Sequence, residues 1–191
     1  ALLSASVGAA VDLPAALHVA LIMLVAMTVG SLFAGVAGYL KVTRGVHEVI
    51  STIMLNAIAL AAVGYMLRNW LIDGADTSLN MKTSEIPPSG RFPNLNGVVE
   101  TFTREITRGR ELWGFILVAA LVGVLFHLFL TRTRVGYDLR ATGLNPFAAE
   151  ASGVDPKATV MRTMLLSGAV AGLIGLPEVL GDSYKYDLAF T

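Results

Sequence analysis

The chain has 191 residues, of which 54% are hydrophobic and 15% are charged, and its formal net charge is zero. Soluble domains carry about 25% charged residues, and the shortfall here lies in long apolar blocks, which are typical of an integral membrane protein. The balanced charge excludes any argument for nucleic-acid binding, and the absence of cysteine excludes disulfides and thiolate metal sites. We expect the sequence to be part of a longer protein, because it begins without methionine and ends just after an apolar block.

Four apolar blocks approach or exceed the roughly 20 residues that an α-helix needs to cross the bilayer hydrocarbon. We predict membrane spans at about 15–40, 49–67, 112–130 and 159–180. The fourth block departs from the pattern, because Arg162 lies in its first turn and Pro177 stands near its end. The predicted fold is an all-α, polytopic membrane helical bundle, with residues 1–191 forming part of one transmembrane domain.

The connections between the spans predict their orientation. The turn at 41–48 and the loop at 131–158 share one side, since two spans separate them, and with the first turn of the fourth span they carry seven basic residues. The long loop at 68–111 carries six, but long loops cross membranes with little regard to charge. We therefore expect the turn and the 131–158 loop to be cytoplasmic. Within the turn, we interpret His47 and Glu48 as structural residues.

Small residues in the first and fourth spans predict that the spans pack closely. Gly30, Ala34 and Gly38 recur every four residues in the first span, and Gly168 and Gly172 have the same spacing in the fourth. Residues four apart lie on one helix face, where small side chains let the backbones of membrane helices approach each other. The pattern is frequent in polytopic proteins and indicates no particular function.

Polar residues in the second span are candidates for a translocation path. Ser51, Thr52 and Asn56 lie in its first half, and Thr52 and Asn56, four apart, share a helix face. Polar side chains inside a membrane face protein or water. Two roles are open: contacts between helices, worth about 0.6 kcal/mol on average, or a path for a polar solute.

The loop at 131–158 contains the signals of a short helix. Asn145 suits the N-cap, Pro146 suits the first helical position, and Gly153 is placed to end the helix. Asp155 repeats the start signal before the fourth span. The helix would be roughly 10 Å long at 1.5 Å per residue.

This short helix needs a surface to pack on, because its apolar face is too small to stabilise it in water. That face is formed by Phe147, Ala148, Ala149 and Ala151. The lipid headgroups and a cytoplasmic partner are both open as the surface. A half-helix dipping into the membrane is set aside, because the Asn-Pro-Phe sequence occurs once and arginines precede it.

Three further residues, Glu178, His18 and His127, are less informative about function. Glu178 is the one acid inside a span-like segment, near its outer end, and it either lines the outer mouth of a path or makes a helix-end contact. We interpret His18 and His127 as interfacial.

An enzyme is disfavoured, because Ser167 lacks the glycine of a nucleophile elbow and no zinc-protease or P-loop motif is present. A channel or ion-driven carrier would want paired charges at mid-membrane, and the first three spans contain none.

Three segments together resemble the permease subunits of ABC importers, in the branch that handles nucleosides and simple sugars. They are TRVGYDLRATGLNPFAAEASGV (133–154), GYLKVTRGVHEVISTIMLNAIAL (38–60) and LLSGAVAGLIGLPEVLG (165–181). The general loop signature of such importers is only partly kept, because Phe147 stands where a glutamate would be. The HEVISTIMLN sequence favours nucleosides, and sugar import remains the alternative.

The resemblance implies that the short helix is a coupling helix between the third and fourth spans, docked in a groove of a cytoplasmic ATPase subunit. The residues it assigns to coupling are Asn145, Pro146, Phe147, Ala148, Ala149, Glu150 and Gly153. It implies a multi-pass protein of the cytoplasmic membrane that pairs with a second permease subunit and receives solute from an extracytoplasmic binding protein. MgATP would be bound by the ATPase partners, with no cofactor, metal or catalytic residue in this chain.

Overall fold

The computed structural model describes residues 1–11, 13–69, 86–87, 115–177 and 179–180. All regular secondary structure in these ranges is helical, which confirms the all-α prediction. The helices are α1 (Leu2–Ala10), α2 (Ala15–Arg44), α3 (Glu48–Asn69), α4 (Phe115–Arg132), α5 (Arg134–Leu144), α6 (Pro146–Ala151) and α7 (Pro156–Gly172).

Among the described residues, two helices are long and apolar enough to cross a membrane, namely α2 and the Glu48–Leu67 part of α3. The described part of the third predicted span lies in α4, which bends by 74° into α5; this pair adds a third crossing if it is counted as one broken span. Helix α7 has 17 residues and is followed by a turn at 173–175. A fourth span over 159–180 therefore stays a prediction.

The turn between α2 and α3 is a defined structure, as the sequence predicted. Gly45 ends α2 with a φ of 65°, in the left-handed region that glycine adopts without strain, and its N–H donates to the carbonyl oxygen of Lys41 at 3.1 Å. The Lys41 Nζ and a Glu48 carboxylate oxygen form a salt bridge of 2.9 Å across the turn. The backbone N–H of Val49 donates to His47 Nδ1 at 3.4 Å.

Helices α2 and α7 pack together in antiparallel order, through the small residues from which the sequence predicted closely packed spans. A Cβ atom on Gly30 would collide with the carbonyl oxygen of Gly168, and one on Gly172 would collide with that of Ala26. Closer to the other end of the pair, a Cβ on Gly38 would lie 3.0 Å from the Cβ of Met164. The antiparallel order places the α2–α3 turn and the start of α7 at the same end of the bundle.

The buried core lies at the opposite end, where α1 covers the beginning of α2. The core residues are Leu2, Ala5, Ile22, Ala26, Leu67, Ile86, Leu173, Leu176, Val179 and Leu180. Here the interpretation of His18 as an interfacial residue is wrong: its ring is fully buried, and Nε2 donates to the carbonyl oxygen of Gly8 at 2.9 Å. The reason is tertiary, because α1, which the sequence did not predict, folds over this position.

Candidate functional site

Helix α6 begins at the cap that the sequence predicted. The Asn145 side-chain oxygen Oδ1 accepts hydrogen bonds from the backbone N–H groups of Phe147, at 3.0 Å, and Ala148, at 3.1 Å. Pro146 takes the first helical position, where a backbone N–H would have no partner within the helix. The start of this six-residue helix is thus held by local chemistry rather than by its length.

The end of α6 is closed by a Schellman motif. Gly153 has a φ of 84°, its N–H donates to the Glu150 carbonyl oxygen at 2.9 Å, and the Val154 N–H donates to that of Ala149 at 3.0 Å. Asp155 then caps α7, accepting from the backbone N–H of Lys157 at 2.9 Å. Both ends of α6 and the start of α7 are therefore hydrogen-bonded within eleven residues, 145–155.

The apolar residues of α6 are divided between two directions. Ala149 is only 3% exposed and lies where α6 packs against α5 and α7, whereas Phe147 is 83% exposed. Ala148 and Ala151 are also exposed. The expectation of a single apolar face awaiting an external surface is therefore wrong for Ala149, because this chain itself buries that methyl group.

The residues before α6 form a helix, α5, which the sequence analysis treated only as a basic loop. Thr133 caps it by accepting from the Gly136 N–H at 3.0 Å, and Gly136 makes the bend possible: a Cβ there would collide with the carbonyl oxygens of Phe129 and Leu130. The signal was present in the sequence. Val135, Leu139 and Thr142 recur at helical spacing, and they form the less exposed side of α5.

The outer side of α5 adds two residues to the candidate site that sequence reasoning missed. Leu144 is 88% exposed and directly precedes the Asn145 cap, and Tyr137, two turns earlier on the same side of α5, is 61% exposed. Phe147, at the start of α6, is the third large exposed side chain in this part of the chain, and we call these three residues the docking surface. Arg134 and Arg140 flank it, both exposed and without a salt bridge to any residue that the structure describes.

The predicted path residues lie apart from the docking surface, on α3. Ser51 is buried, and its hydroxyl donates to the His47 carbonyl oxygen at 3.4 Å; the hydroxyl of Thr52 donates to that of Val49 at 3.1 Å. Asn56 is exposed, and its side chain makes no hydrogen bond to another described residue. Ser51 is therefore covered by the rest of the described chain, whereas Thr52 and Asn56 are exposed on the surface of α3. Glu178 lies outside the described residues.

Comparison with known proteins identifies relatives of this chain. The chain is similar to the guanosine ABC transporter permease protein NupP of Bacillus subtilis, with 37% identity over 180 residues, 94% of this chain and 48% of that protein. It is 30% identical over 178 residues to the nucleoside ABC transporter permease protein NupB of Lactococcus lactis, which covers 91% of the chain and 46% of the relative. A glucose ABC transporter permease protein of Haloferax volcanii is 29% identical over 186 residues, 94% of this chain and 47% of that protein.

The chain spans about half the length of these curated relatives. No solved structure matches it. Residues 1–185 match the family described as branched-chain amino acid transport system / permease component. The family is that of a transporter subunit, in keeping with the apolar spanning helices seen here. The chain therefore belongs to this permease-component family, which confirms the resemblance found in its sequence.

Proposed function

We propose that this chain is part of the permease subunit of an ATP-driven importer, and that the whole protein moves nucleosides across the cytoplasmic membrane by alternating access. The two relatives named for guanosine and nucleosides align over 94% and 91% of the chain, and this similarity supports the solute class. The rest of the path, beyond the half represented here, would come from the remainder of the protein and from a second permease subunit.

The observation that carries the coupling role is the docking surface formed by Tyr137, Leu144 and Phe147. Large apolar side chains that are mostly exposed outside the spanning helices are typical anchors for a partner protein, because their burial on association contributes much of the binding free energy. The caps at Asn145 and Gly153 hold α6 in one shape. A rigid helix can transmit a displacement that a flexible loop would absorb.

We assign the partner as the ATPase subunits of the importer, which would bind MgATP and hydrolyse it. The docking surface then faces the cytoplasm. Basic residues at this end of the bundle support that orientation, since short cytoplasmic loops of membrane proteins are enriched in lysine and arginine. The exposed ones among the described residues are Arg44, Arg132, Arg134, Arg140, Lys157 and Arg162.

Thr52 and Asn56 are the residues that we place in the path. An amide in the hydrocarbon without a hydrogen-bond partner costs free energy, so Asn56 needs water, solute or a neighbouring subunit beside it. Since no described residue bonds to Asn56, we place the solute path beside it. Ser51 is buried and its hydroxyl is hydrogen-bonded to the backbone, so we give it a smaller part in contacting the solute than Thr52 and Asn56. Glu178 lies outside the described residues, and its two predicted roles, lining the outer mouth or making a helix-end contact, stay predictions from the sequence.

A sugar is the second candidate solute, because the glucose permease relative covers 94% of the chain at 29% identity. Reconstitution separates the two. The full-length permease would be placed in proteoliposomes with its ATPase and binding protein, and uptake of labelled guanosine, uridine and glucose compared. We expect ATP-dependent nucleoside uptake that is lost when an ATPase variant without hydrolysis is used. Glucose uptake alone would assign the sugar, and equal uptake without any ATPase would contradict an ATP-driven importer.

A further inference from the structure

Around Gly30, Gly168 and Gly172, the contact between α2 and α7 is made by backbone rather than by flexible side chains. The position that a Cβ of Gly30 would occupy is already filled by the backbone of Gly168 and Gly172, with the Gly172 Cα at 2.9 Å. A Cβ on Gly168 would in turn meet the Cβ of Ala34. Backbone atoms in van der Waals contact leave no rotamers to absorb a movement, so a shift of α7 passes directly to α2.

The same contact extends toward the end of the bundle that carries α6. A Cβ on Gly35 would lie 2.9 Å from the Leu165 Cδ2, and one on Gly38 would lie 3.0 Å from the Met164 Cβ. From Ala26 to Gly38 the close approach covers about 18 Å of helix at 1.5 Å per residue. The two helices are thus joined over much of the thickness of a membrane.

Helix α6 is connected to this pair by a short, hydrogen-bonded segment. Residues 152–155 carry the Schellman bonds from α6 and the Asp155 cap of α7. Ala149 is buried on the inner side of the segment, so α6 has a packed contact as well as a covalent connection. A force applied at Phe147 therefore reaches α7 through a segment held by hydrogen bonds at both ends.

Helix α3 differs from α2 and α7 in its packing. Between Ser51 and Leu67, none of its residues is buried among the described parts of the chain, and a Cβ on Gly64 would meet nothing within 4 Å. Its fixed points are near its ends, at the Lys41–Glu48 salt bridge and at Leu67 in the core. Between these fixed points, in the part of α3 that begins with Thr52 and Asn56, no close glycine contact with α2 is present among the described residues.

We infer that α2 and α7 move as one rigid unit that carries the displacement of α6 across the membrane, and that α3 changes its position relative to this unit during transport. The path opens and closes beside α3, because the interface between α3 and the α2–α7 pair is less tightly packed than the interface between α2 and α7. The inference rests on the proposed coupling role of α6, and it adds which helices move together.

A disulfide between α2 and α7 tests the rigid unit. The Gly38→Cys and Met164→Cys substitutions place two thiols close together, and a Cβ–Cβ separation averaging about 3.8 Å in disulfides is within a small shift of this geometry. Uptake would be measured in proteoliposomes of the full-length protein with its ATPase, oxidised and then reduced, with each single-cysteine variant as a control. Equal uptake in both states is expected. Loss of uptake on oxidation with recovery on reduction would overturn the rigid unit, although the proposed function would stand.

Spin labels provide a readout that leaves the α2–α7 contact unchanged. Labels at Leu17 and Leu166, both exposed, report on α2 against α7, and labels at Leu17 and Ile53 report on α2 against α3. On addition of ATP with vanadate, the first distance distribution should stay the same and the second should shift. A shift of the first as large as that of the second would overturn the inference. Absence of any nucleotide response in a preparation that transports without ATP would instead contradict the proposed function.

Discussion

Phe147 and Ala149 lie two residues apart on α6 and point in opposite directions, the first 83% exposed and the second 3% exposed. The helix therefore has an inner side that belongs to this chain and an outer side that is available to a partner. A substitution at Ala149 changes the packing of α6 on α5 and α7. A substitution at Phe147 changes only what the outer surface presents.

Phe147→Ser should separate transport from ATP hydrolysis without loss of folded protein. Truncating a central aromatic anchor commonly costs 2 kcal/mol or more, so solute-stimulated hydrolysis should fall by about tenfold or more. The thermal midpoint in detergent should stay unchanged, since the ring is exposed. Ala151→Ser, exposed on the same helix, is the matched control and should leave hydrolysis unchanged. Normal stimulation in the Phe147→Ser protein would count against the docking surface.

Ala149→Arg should act on folding instead. The arginine would have to place a charged side chain where the methyl group is now buried, and a buried unpaired charge is among the most destabilising changes known. We expect less assembled permease in the membrane and a lower thermal midpoint. A protein of normal abundance and stability would show that α6 is not packed as described.

Removing the Asn145 cap should loosen α6. Asn145→Ala leaves the Phe147 and Ala148 N–H groups without their side-chain acceptor, which costs about 1 kcal/mol of helix stability. Amide hydrogen exchange over 146–151 should become faster, and coupled hydrolysis should fall with it. Asn145→Asp keeps an acceptor at the cap and should retain both. Unchanged exchange in the alanine variant would mean that partner contacts, rather than the cap, maintain this helix.

Gly168→Ala should separate α2 from α7, because the added Cβ would collide with the Gly30 carbonyl oxygen and the Ala34 methyl group. Gly64→Ala is the control, since a Cβ there would meet nothing within 4 Å. Alanine in place of a helical glycine otherwise gains about 1 kcal/mol. The thermal midpoint should therefore fall for Gly168→Ala and stay level or rise for Gly64→Ala. The same rise in both variants would contradict the close contact.

The bend between α4 and α5 allows a second comparison of two glycine substitutions, at Gly136 and at Gly143. Gly136→Ala would push a Cβ into the carbonyl oxygens of Phe129 and Leu130, whereas a Cβ on Gly143, in the same helix, would meet nothing within 4 Å. We expect the first variant to displace α5 and the docking surface with it, and so to lower stimulated ATP hydrolysis. The second variant should retain hydrolysis. Equal activity of the two would show that the position of α5 is not part of coupling.

The sequence predicted the features that depend on neighbouring residues. The Asn145 and Asp155 caps are formed by side chains that bond to N–H groups two and three residues away, so composition and order suffice to identify them. Small residues four apart also predicted closely packed spans, but not which helices meet, and the contact of Gly30 with Gly168 identifies α2 and α7 as one such pair.

Features that depend on distant parts of the chain were not predictable in this way. The burial of His18 results from α1 folding back onto α2, and the inward direction of Ala149 results from the position of α5. The exposure of Leu144 follows from the same cause. A six-residue helix has no apolar periodicity long enough to indicate which side will be covered.

The most direct test of the coupling role of α6 is site-specific photo-cross-linking from the docking surface. A benzoylphenylalanine at position 147 of the full-length protein would be irradiated in membranes containing the ATPase, and the adduct identified by mass spectrometry. The control position is Ile174, which is 77% exposed and lies beyond the opposite end of α7. The proposed docking of α6 on the ATPase predicts an ATPase adduct from position 147 and none from position 174. Adducts from position 147 only with lipid or with the extracytoplasmic binding protein would contradict it.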